Sequence, residues 1–290
     1  MLPRHSSARQ AVKIASDLPN EHTSMLDLEF AQLSDPGLVR DHNEDFLGHF
    51  APESPAQSRS HGWLFTLADG VGGQDKGEVA SQVAVESVVE GFRKAAAGEL
   101  HSNLLPKLVQ AANTRVFETG MAARPGGVNM ATTFVACALR FDRAVISHVG
   151  DSRCYLVRRG HAHILTRDHT VPNEQIRLGL MTVGEASRAA TKHLLSRSLG
   201  TEMFVNVDTS EHQVMAGDVL MLCSDGLHGA VEASEIAAVA GHGTDLNSAA
   251  ERLVAIAKQR DGSDNISLQL IRIRSVERVG MYRGRPYKLR

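Results

Sequence analysis

Short apolar runs separated by tight polar breaks dominate the middle of the chain. The runs lie at 133–139, 144–149, 153–158 and 161–165, with only a few residues between one run and the next. Connections this short leave no room for crossover helices, so we expect these strands to be antiparallel. The pattern therefore excludes a doubly wound parallel sheet for this part of the chain.

Longer segments on either side carry the apolar spacing of amphipathic helices. The predicted helices are 76–97, 102–123, 233–240 and 245–259. The further predicted strands are 26–30, 63–68, 219–223 and 266–273. Strands grouped with paired helices favour an α+β fold made of packed layers.

The remaining segments are polar and outline the domain organisation. Residues 1–25 are aperiodic and are predicted to form a flexible N-terminal arm, and residues 275–290 form a basic C-terminal tail. We interpret the tail as a solvated, partly disordered end, with a docking arm for an acidic partner as the alternative. Residues 51–61 are predicted to be a surface loop. Residues 167–200 carry short helical patterns and are predicted to lie over another part of the fold.

Composition and charge narrow the functional classes. With 42% apolar and 22% charged residues the chain resembles an ordinary globular protein, and its net charge of -2 creates no field that favours nucleic acid or an anionic membrane. No segment approaches the roughly 18–20 apolar residues that span a bilayer, and no secretory signal is visible, so a cytoplasmic location is expected. Cys137, Cys154 and Cys223 lie in apolar stretches and are predicted to be core residues in a reducing compartment.

Acidic residues mark the points where several apolar runs begin or end. Carboxylates at the mouths of buried strands repel one another and lose solvation unless a cation compensates them. Ligands that are all oxygen atoms favour Mg²⁺ or Mn²⁺ over Zn²⁺. Two such ions, about 3.5–4 Å apart, can bind phosphate oxygens and acidify a shared water. The residues that suggest this site are Glu44, Asp45, Asp69, Gly70, Asp225 and Asp264.

The candidate metal ligands extend from residue 45 to residue 264, and a single metal site needs all of them. We therefore expect one catalytic domain over residues 26–274. Arg40 precedes Asp45 by five residues and is a candidate phosphate clamp, because its planar guanidinium matches two phosphate oxygens. A surface arginine without a binding role is the alternative.

Five motifs, taken in their order along the chain, resemble the metal-dependent protein phosphatases. These are the type 2C serine/threonine phosphatases (PPM family), and the bacterial branch is the most similar. The resemblance covers about residues 30–273. The motifs are SDPGLVRDHNED at 34–45, ADGVGG at 68–73, GDSR at 150–153, SDGL at 224–227 and DNIS at 264–267.

The resemblance implies an αββα four-layer sandwich of two antiparallel sheets flanked by helix pairs, with a pair of Mn²⁺ or Mg²⁺ ions at one edge. In this family pattern Asp69 bridges both ions and the Gly70 carbonyl binds one of them. Asp225 and Asp264 hold the other ion. Asp151 matches a position that, with Asp225, binds a third and weaker ion in bacterial members.

The resemblance also implies how the reaction proceeds. Glu44 orients metal-bound water, Asp45 lies close to the nucleophilic water, and Arg40 holds the phosphate. A metal-bound hydroxide attacks phosphoserine or phosphothreonine directly, without a phosphoenzyme. Residues 167–200 match the family's flap, which is thought to influence substrate choice. The implied partners are phosphorylated proteins, in opposition to a bacterial Ser/Thr kinase, and a monomer is expected.

Two departures from the family pattern concern the proton donor to the leaving group. Val71 and Gln74 occupy positions where family members carry histidine, and neither side chain donates a proton usefully. Metal-bound water, His42 and His61 are the alternatives considered for this role.

Two other functional classes compete with phosphoprotein hydrolysis. The missing histidines motivate a sensor or scaffold that binds phosphoprotein without turnover, although every metal carboxylate is present. A nuclease or small-molecule phosphoesterase would use the same metals, but the near-neutral net charge disfavours a nuclease. No GxSxG motif is present in the sequence, and the CxxxxxR match at 137–143 begins inside an apolar run rather than in a loop of the kind that covalent catalysis would use.

Overall fold

Two five-stranded antiparallel sheets lie at the centre of the computed structural model, which describes residues 26–71, 76–123, 126–241, 243, 245–282 and 285–288. The predicted arm at 1–25 lies outside the described residues. The strands are β1 (Asp27–Asp35), β2 (Asp45–Phe50), β3 (Trp63–Asp69), β4 (Phe134–Arg140), β5 (Arg143–Val149), β6 (Arg153–Arg158), β7 (His161–Ile164), β8 (Asp208–Gln213), β9 (Val219–Cys223), β10 (Ile266–Ser275), β11 (Val279–Tyr282) and β12 (Arg285–Lys288).

Helices connect and cover the strands. They are α1 (Pro55–Ser60), α2 (Gly77–Lys94), α3 (His101–Ala122), α4 (Val171–Arg177), α5 (Val183–Ala186), α6 (Asp225–His228), α7 (Ala233–Ala240) and α8 (Leu246–Arg260). Within the described part of the chain, none of them combines the length and hydropathy that crossing a bilayer requires.

The order of the strands confirms the predicted antiparallel architecture. Sheet I has the order β1-β10-β9-β6-β7, and sheet II has the order β2-β3-β4-β5-β8. Every neighbouring pair in both sheets is antiparallel. The four central runs of the sequence are β4 to β7, and the chain passes from sheet II to sheet I between β5 and β6.

Three apolar layers hold the sandwich together. The inner layer lies between the sheets, and it receives Phe65 from β3 and Leu220 from β9. One outer layer packs sheet II against α2 and α3, and the other packs sheet I against α7 and α8. Strands buried on both faces need apolar residues at every position, which explains their continuous apolar runs. The predicted α+β, four-layer αββα arrangement is therefore confirmed.

The sequence pattern did not predict several of the strands and helices. β8 reads DTSEHQ and alternates between partly buried and exposed positions at the edge of sheet II, so it lacks an apolar run. Helix α1 lies inside the predicted loop 51–61, where the Ser54 side chain accepts a hydrogen bond from the Gln57 amide at the helix start. The basic tail also differs from the prediction, since β11 and β12 pair as a hairpin.

The packed body extends slightly beyond the predicted boundary at residue 274. Val276 packs against the inner layer, and Glu277 is 7% exposed and lies 3.5 Å from the Arg59 guanidinium. The flap segment 167–200 contains the short helices α4 and α5, in agreement with its short helical patterns. Thr170 and Thr182 cap these two helices with their side-chain oxygens.

Candidate metal centre

The pairing of β2 with β3 brings two of the predicted carboxylates together at one edge of sheet II. Asp45 and Asp69 are register partners. The Gly70 amide donates to the Glu44 carbonyl at 3.1 Å, and the Ser81 hydroxyl of α2 donates to the same carbonyl at 2.5 Å. These bonds fix the backbone of both acidic segments side by side.

Gly70 lies where the backbone of three segments meets. A Cβ atom at this position would lie 2.5 Å from the Gly77 carbonyl and 2.9 Å from the Glu44 Cβ, so only glycine fits. The backbone of Asp69 is held equally firmly, because the Thr133 amide and the Thr132 hydroxyl each donate to its carbonyl at 2.8 Å. The backbone beneath the Asp69 carboxylate is thus set before any ligand binds.

Sheet I contributes its carboxylates from the ends of β9 and β10. Asp225 begins α6, two residues after the end of β9, and Asp264 lies two residues before the start of β10. Asn265 joins these elements to sheet II, because its Oδ1 accepts from the Glu44 amide at 2.8 Å and its Nδ2 donates to the His42 carbonyl at 3.0 Å. Asn265 belongs to the DNIS motif at 264–267, but its role in joining the two sheets was not predicted from the sequence.

Asp45 is the most buried carboxylate of this group on the sheet II side. It is 7% exposed, and its Oδ2 accepts from the Ser224 hydroxyl at 2.9 Å. Its Oδ1 is buried and has no hydrogen-bond partner among the described residues. A carboxylate oxygen left in this state lacks compensation for the loss of water, which is the environment that a bound cation relieves.

Asp151 lies in the turn 150–152 that connects the two sheets. Because Arg153 pairs with Cys223, this turn adjoins the end of β9 and therefore Asp225. Asp151 is 6% exposed, and its carbonyl lies 2.9 Å from His228 Nε2. The Ser152 hydroxyl is 2.7 Å from the Thr133 hydroxyl, which ties the turn to the segment that holds Asp69.

The electrostatics of the cluster indicate uncompensated negative charge. Loss of solvation, followed by repulsion from neighbouring carboxylates, raises the pKa of Asp45 to about 7 and that of Asp151 to about 7. The same two causes raise the pKa of Asp69 and of Asp225. An all-oxygen donor set with this much repulsion fits hard divalent cations.

Arg40 supplies a positive charge at the rim of the cluster. Its Nη2 donates to Asp264 Oδ2 at 2.9 Å, and its side chain is 42% exposed. The hydrogen bond to Asp264 raises the pKa of Arg40, so the guanidinium stays charged. The predicted clamp is therefore accessible and adjoins a predicted metal ligand.

The candidate proton donors differ in how far they lie from the carboxylate cluster. His61 contacts Phe50, with ring centroids 6.3 Å apart, at the end of β2 opposite to Asp45. A strand rises about 3.3 Å per residue, so His61 is too far from the carboxylates to serve them, and that hypothesis is wrong. His42 is exposed beside the site, and Gln74 lies outside the described residues. His193 of the flap, which the sequence analysis did not consider, has its Nδ1 4.0 Å from Asp225 Oδ2.

A second polar cluster lies at the base of the flap. Among the described residues, His148, His169 and Asp208 bring three potential ligand atoms within 4.8 Å of one another, a spacing that the predicted carboxylates do not meet. Both histidines are buried. The cluster differs in composition from the all-oxygen group, because two of its three members are histidines.

Comparison with known proteins adds an independent observation. A family model described as protein phosphatase 2C matches residues 41–269. The serine/threonine phosphatase stp of Listeria welshimeri is 33% identical over 258 residues, which is 87% of this chain and 96% of that relative.

Solved structures show the same likeness. The serine/threonine phosphatase of S. agalactiae superposes with a TM-score of 0.76 at 30% identity, covering 85% of this chain and 100% of that one. The catalytic domain of the serine/threonine protein phosphatase PstP, solved with two manganese ions, gives a TM-score of 0.71 at 31% identity. That match covers 85% of this chain and 98% of the PstP domain.

Proposed function

The chain belongs to the protein phosphatase 2C family, the metal-dependent serine/threonine phosphatases, and on this premise we propose its substrate and mechanism. It hydrolyses phosphoserine and phosphothreonine in proteins at a dinuclear Mn²⁺ or Mg²⁺ centre. The phosphorylated proteins include those modified by a bacterial Ser/Thr kinase, whose output the enzyme reverses.

The ligands proposed for the two ions come from both sheets. Asp69 would serve both ions, the Gly70 carbonyl would serve one of them, and Asp225 and Asp264 would serve the other. When bound, two such cations lower the pKa of a shared water and neutralise charge on the phosphate oxygens. Asp151 forms, with Asp225, a third and weaker site. This assignment is supported by the raised pKa values of Asp69 and Asp225, which result from loss of solvation and from repulsion by neighbouring carboxylates.

The remaining residues bind, orient and accept protons. The Arg40 guanidinium holds two phosphate oxygens at the rim, where its fork remains accessible. Asp45 Oδ1, which has no other partner among the described residues, accepts the proton of the attacking water. Glu44 orients that water from the neighbouring position. The water attacks phosphorus directly, the P–O bond to the serine or threonine breaks, and the leaving oxygen takes a proton from solvent. The three cysteines are buried and offer no accessible nucleophile for a covalent route.

One observation carries the proposal. Four carboxylates from four different strand ends lie at a single edge of the sandwich beside an accessible arginine, and loss of solvation together with repulsion from neighbouring carboxylates raises the pKa of each. Such an arrangement is costly for a protein that only needs to fold, and it matches the requirements of metal-assisted phosphate hydrolysis.

The test measures turnover of p-nitrophenyl phosphate and of a phosphoserine peptide with Mn²⁺, Mg²⁺ or chelator. Asp225→Ala is expected to abolish turnover while the far-ultraviolet circular dichroism spectrum stays unchanged, because it removes a ligand from the edge of the fold. Glu251→Ala, on the exposed side of α8, is the matched control and should keep wild-type turnover. Turnover that survives chelation, or an active Asp225→Ala enzyme, would remove the metal mechanism.

A further inference from the structure

The second polar cluster joins the flap to the turn that carries Asp151. His148 lies at the end of β5, His169 lies near the start of the flap, and Asp208 begins β8. His148 is 5% exposed and His169 is 2% exposed, and their rings stack with centroids 4.8 Å apart and an interplanar angle of 16°. Arg197, close to the end of the flap, completes the cluster.

The hydrogen bonds of His169 fix its tautomer. The Gly150 amide donates to His169 Nδ1 at 3.2 Å, so this nitrogen carries a lone pair. In the neutral ring the proton therefore resides on Nε2, which lies 3.1 Å from Asp208 Oδ2 and donates to it. Loss of solvation lowers the pKa of His169, which keeps the ring neutral near pH 7. His169 is thus an acceptor on one side and a donor on the other.

This tautomer argues against a metal ion in the cluster, despite the spacing of its ligand atoms. A metal on His169 Nε2 would require a proton on Nδ1, where the Gly150 amide already points its own hydrogen. Arg197 also donates to Asp208 Oδ1 at 2.9 Å, and its guanidinium lies 3.3 Å from His169 Nε2. The arrangement is therefore a network of directional hydrogen bonds rather than an ion site.

His169 and Arg197 connect the turn at Gly150, the closing end of the flap and the flap helix α4. Both backbone polar groups of Gly150 bond to His169, since the His169 amide donates to the Gly150 carbonyl at 2.9 Å. The Ser196 amide, at the closing end of the flap, donates to the His169 carbonyl at 2.9 Å. Arg197 extends the link into the flap helix α4 by donating to Glu174 at 3.3 Å.

We propose that His169 is a positioning residue that couples the flap to the Asp151 cation site. Its Nδ1 holds the Gly150 amide, which sets the turn that presents Asp151. Its Nε2 holds Asp208, which with Arg197 anchors the flap. The inference rests on the proposed function for the cation half, and on the hydrogen-bond geometry alone for the flap half.

Two variants separate these halves. His169→Asn places an amide oxygen close to the position of Nδ1, so it keeps an acceptor for Gly150 but cannot reach Asp208. His169→Gln places its amide close to the position of Nε2, so it keeps a donor for Asp208 but leaves Gly150 without an acceptor. Calorimetric titration with Mn²⁺ gives the number and affinity of bound ions, and amide hydrogen exchange over residues 171–186 reports flap anchoring.

The expected results are opposite for the two variants. His169→Gln should raise the dissociation constant of the weakest Mn²⁺ site by about tenfold, in the range found for residues that orient metal ligands. The tighter Mn²⁺ sites should keep their affinity. His169→Asn should bind ions like the wild type but exchange flap amides faster. Equal ion affinity and equal exchange in both variants would overturn the proposal.

The outcomes also distinguish this proposal from the proposed function. A wild-type protein that binds no Mn²⁺ would refute the metal centre and the cation half together. Faster flap exchange in His169→Asn than in His169→Gln would still support the flap half, and the reverse order would refute it. A fall in thermal stability of equal size in both variants, with neither specific effect, would assign His169 a merely structural role.

Discussion

At the scale of single residues, Asp45 shows the free-energy cost of burying an ionised carboxylate close to others. Its pKa rises to about 7 because burial removes water that the Ser224 hydroxyl only partly replaces. In an unfolded chain the same carboxyl ionises near its ordinary value of 3.8. The folded, metal-free protein is therefore penalised as pH rises from about 4 to about 7, and the penalty is constant above that range.

Removing this charge should stabilise the metal-free protein. In chelator above pH 7, Asp45→Asn is expected to raise the free energy of unfolding by about 1–3 kcal/mol, since it deletes a buried charge and keeps the shape. The gain should shrink as pH falls towards 4 and vanish below about pH 3, where Asp45 is protonated in both the folded and the unfolded state. Urea unfolding across this pH range measures the effect. A variant less stable than wild type at pH 8 without metal would contradict the interpretation.

Arg40 acts on the substrate rather than on stability. Its exposed guanidinium contacts phosphate in the ground state and the transition state alike, so Arg40→Ala should mainly raise KM, by about tenfold or more, with a smaller effect on kcat. Steady-state kinetics with a phosphoserine peptide measures both constants. Arg40→Lys keeps the charge without the fork, so an intermediate KM is expected. A loss confined to kcat would assign Arg40 a different role.

At the scale of elements, the candidate centre is built from strand ends that approach one another very closely. Gly226, the second residue of α6, shows how little space remains, because a Cβ atom there would lie 2.2 Å from the Asn265 carbonyl oxygen. An added methyl group must push the start of α6 away from the 264–265 segment. Asp225 and Asp264 would then separate.

A pair of helix glycines tests this constraint. Gly226→Ala is expected to destabilise the protein by about 1–3 kcal/mol and to weaken Mn²⁺ binding, because it overpacks the contact between α6 and Asn265. Gly184→Ala, in α5, is the matched control, since the nearest atom to its added Cβ is 3.8 Å away. The control should be neutral or slightly stabilising. Thermal unfolding and Mn²⁺ titration of both variants measure these effects. Equal thermal midpoints and equal Mn²⁺ affinities in the two variants would refute the packing argument.

Elements buried on both faces were the easiest to predict from the sequence. β4 and β9 are continuous apolar runs because one face meets a helix layer and the other meets the opposite sheet. β2 and β8 were missed, since edge positions leave these strands partly exposed and their sequences mix polar and apolar residues. Tertiary pairing, rather than local preference, makes them strands.

At the scale of the whole molecule, the end of the packed body can be separated from the hairpin that follows it. Val276 and Glu277 contact the sandwich, whereas β11 and β12 pair with each other among the described strands. A two-stranded hairpin adds little stability by itself. The last twelve residues should therefore be dispensable for folding, but the two preceding contacts should not.

Two truncations test this boundary. Ending the chain after Arg278 should leave the thermal midpoint and peptide turnover unchanged. Ending it after Ser275 should lower the midpoint by about 2–6 °C, because it removes the partly buried Val276 side chain and the partner of Arg59. Differential scanning fluorimetry measures both. A large loss from the shorter truncation would show that the hairpin supports the body.

The candidate centre was predictable in its acids but not in its supporting contacts. Asp69, Asp225 and Asp264 stand out because charged residues interrupt apolar runs at turns. Asn265 and His169 lie in segments that match the family, but their roles were not predicted, because those roles depend on partners that only the closed sandwich brings near. Long-range hydrogen bonds of this kind leave no local periodicity for a pattern to detect.

The bond between Asn265 and the Glu44 amide also has a consequence for synthesis of the protein. It joins residues 221 positions apart, and it links the first strand of sheet II to the last long strand of sheet I. A nascent chain cannot assemble the acidic edge until residues 264–265 have left the ribosome. Premature termination anywhere upstream should therefore yield an inert fragment rather than a deregulated enzyme.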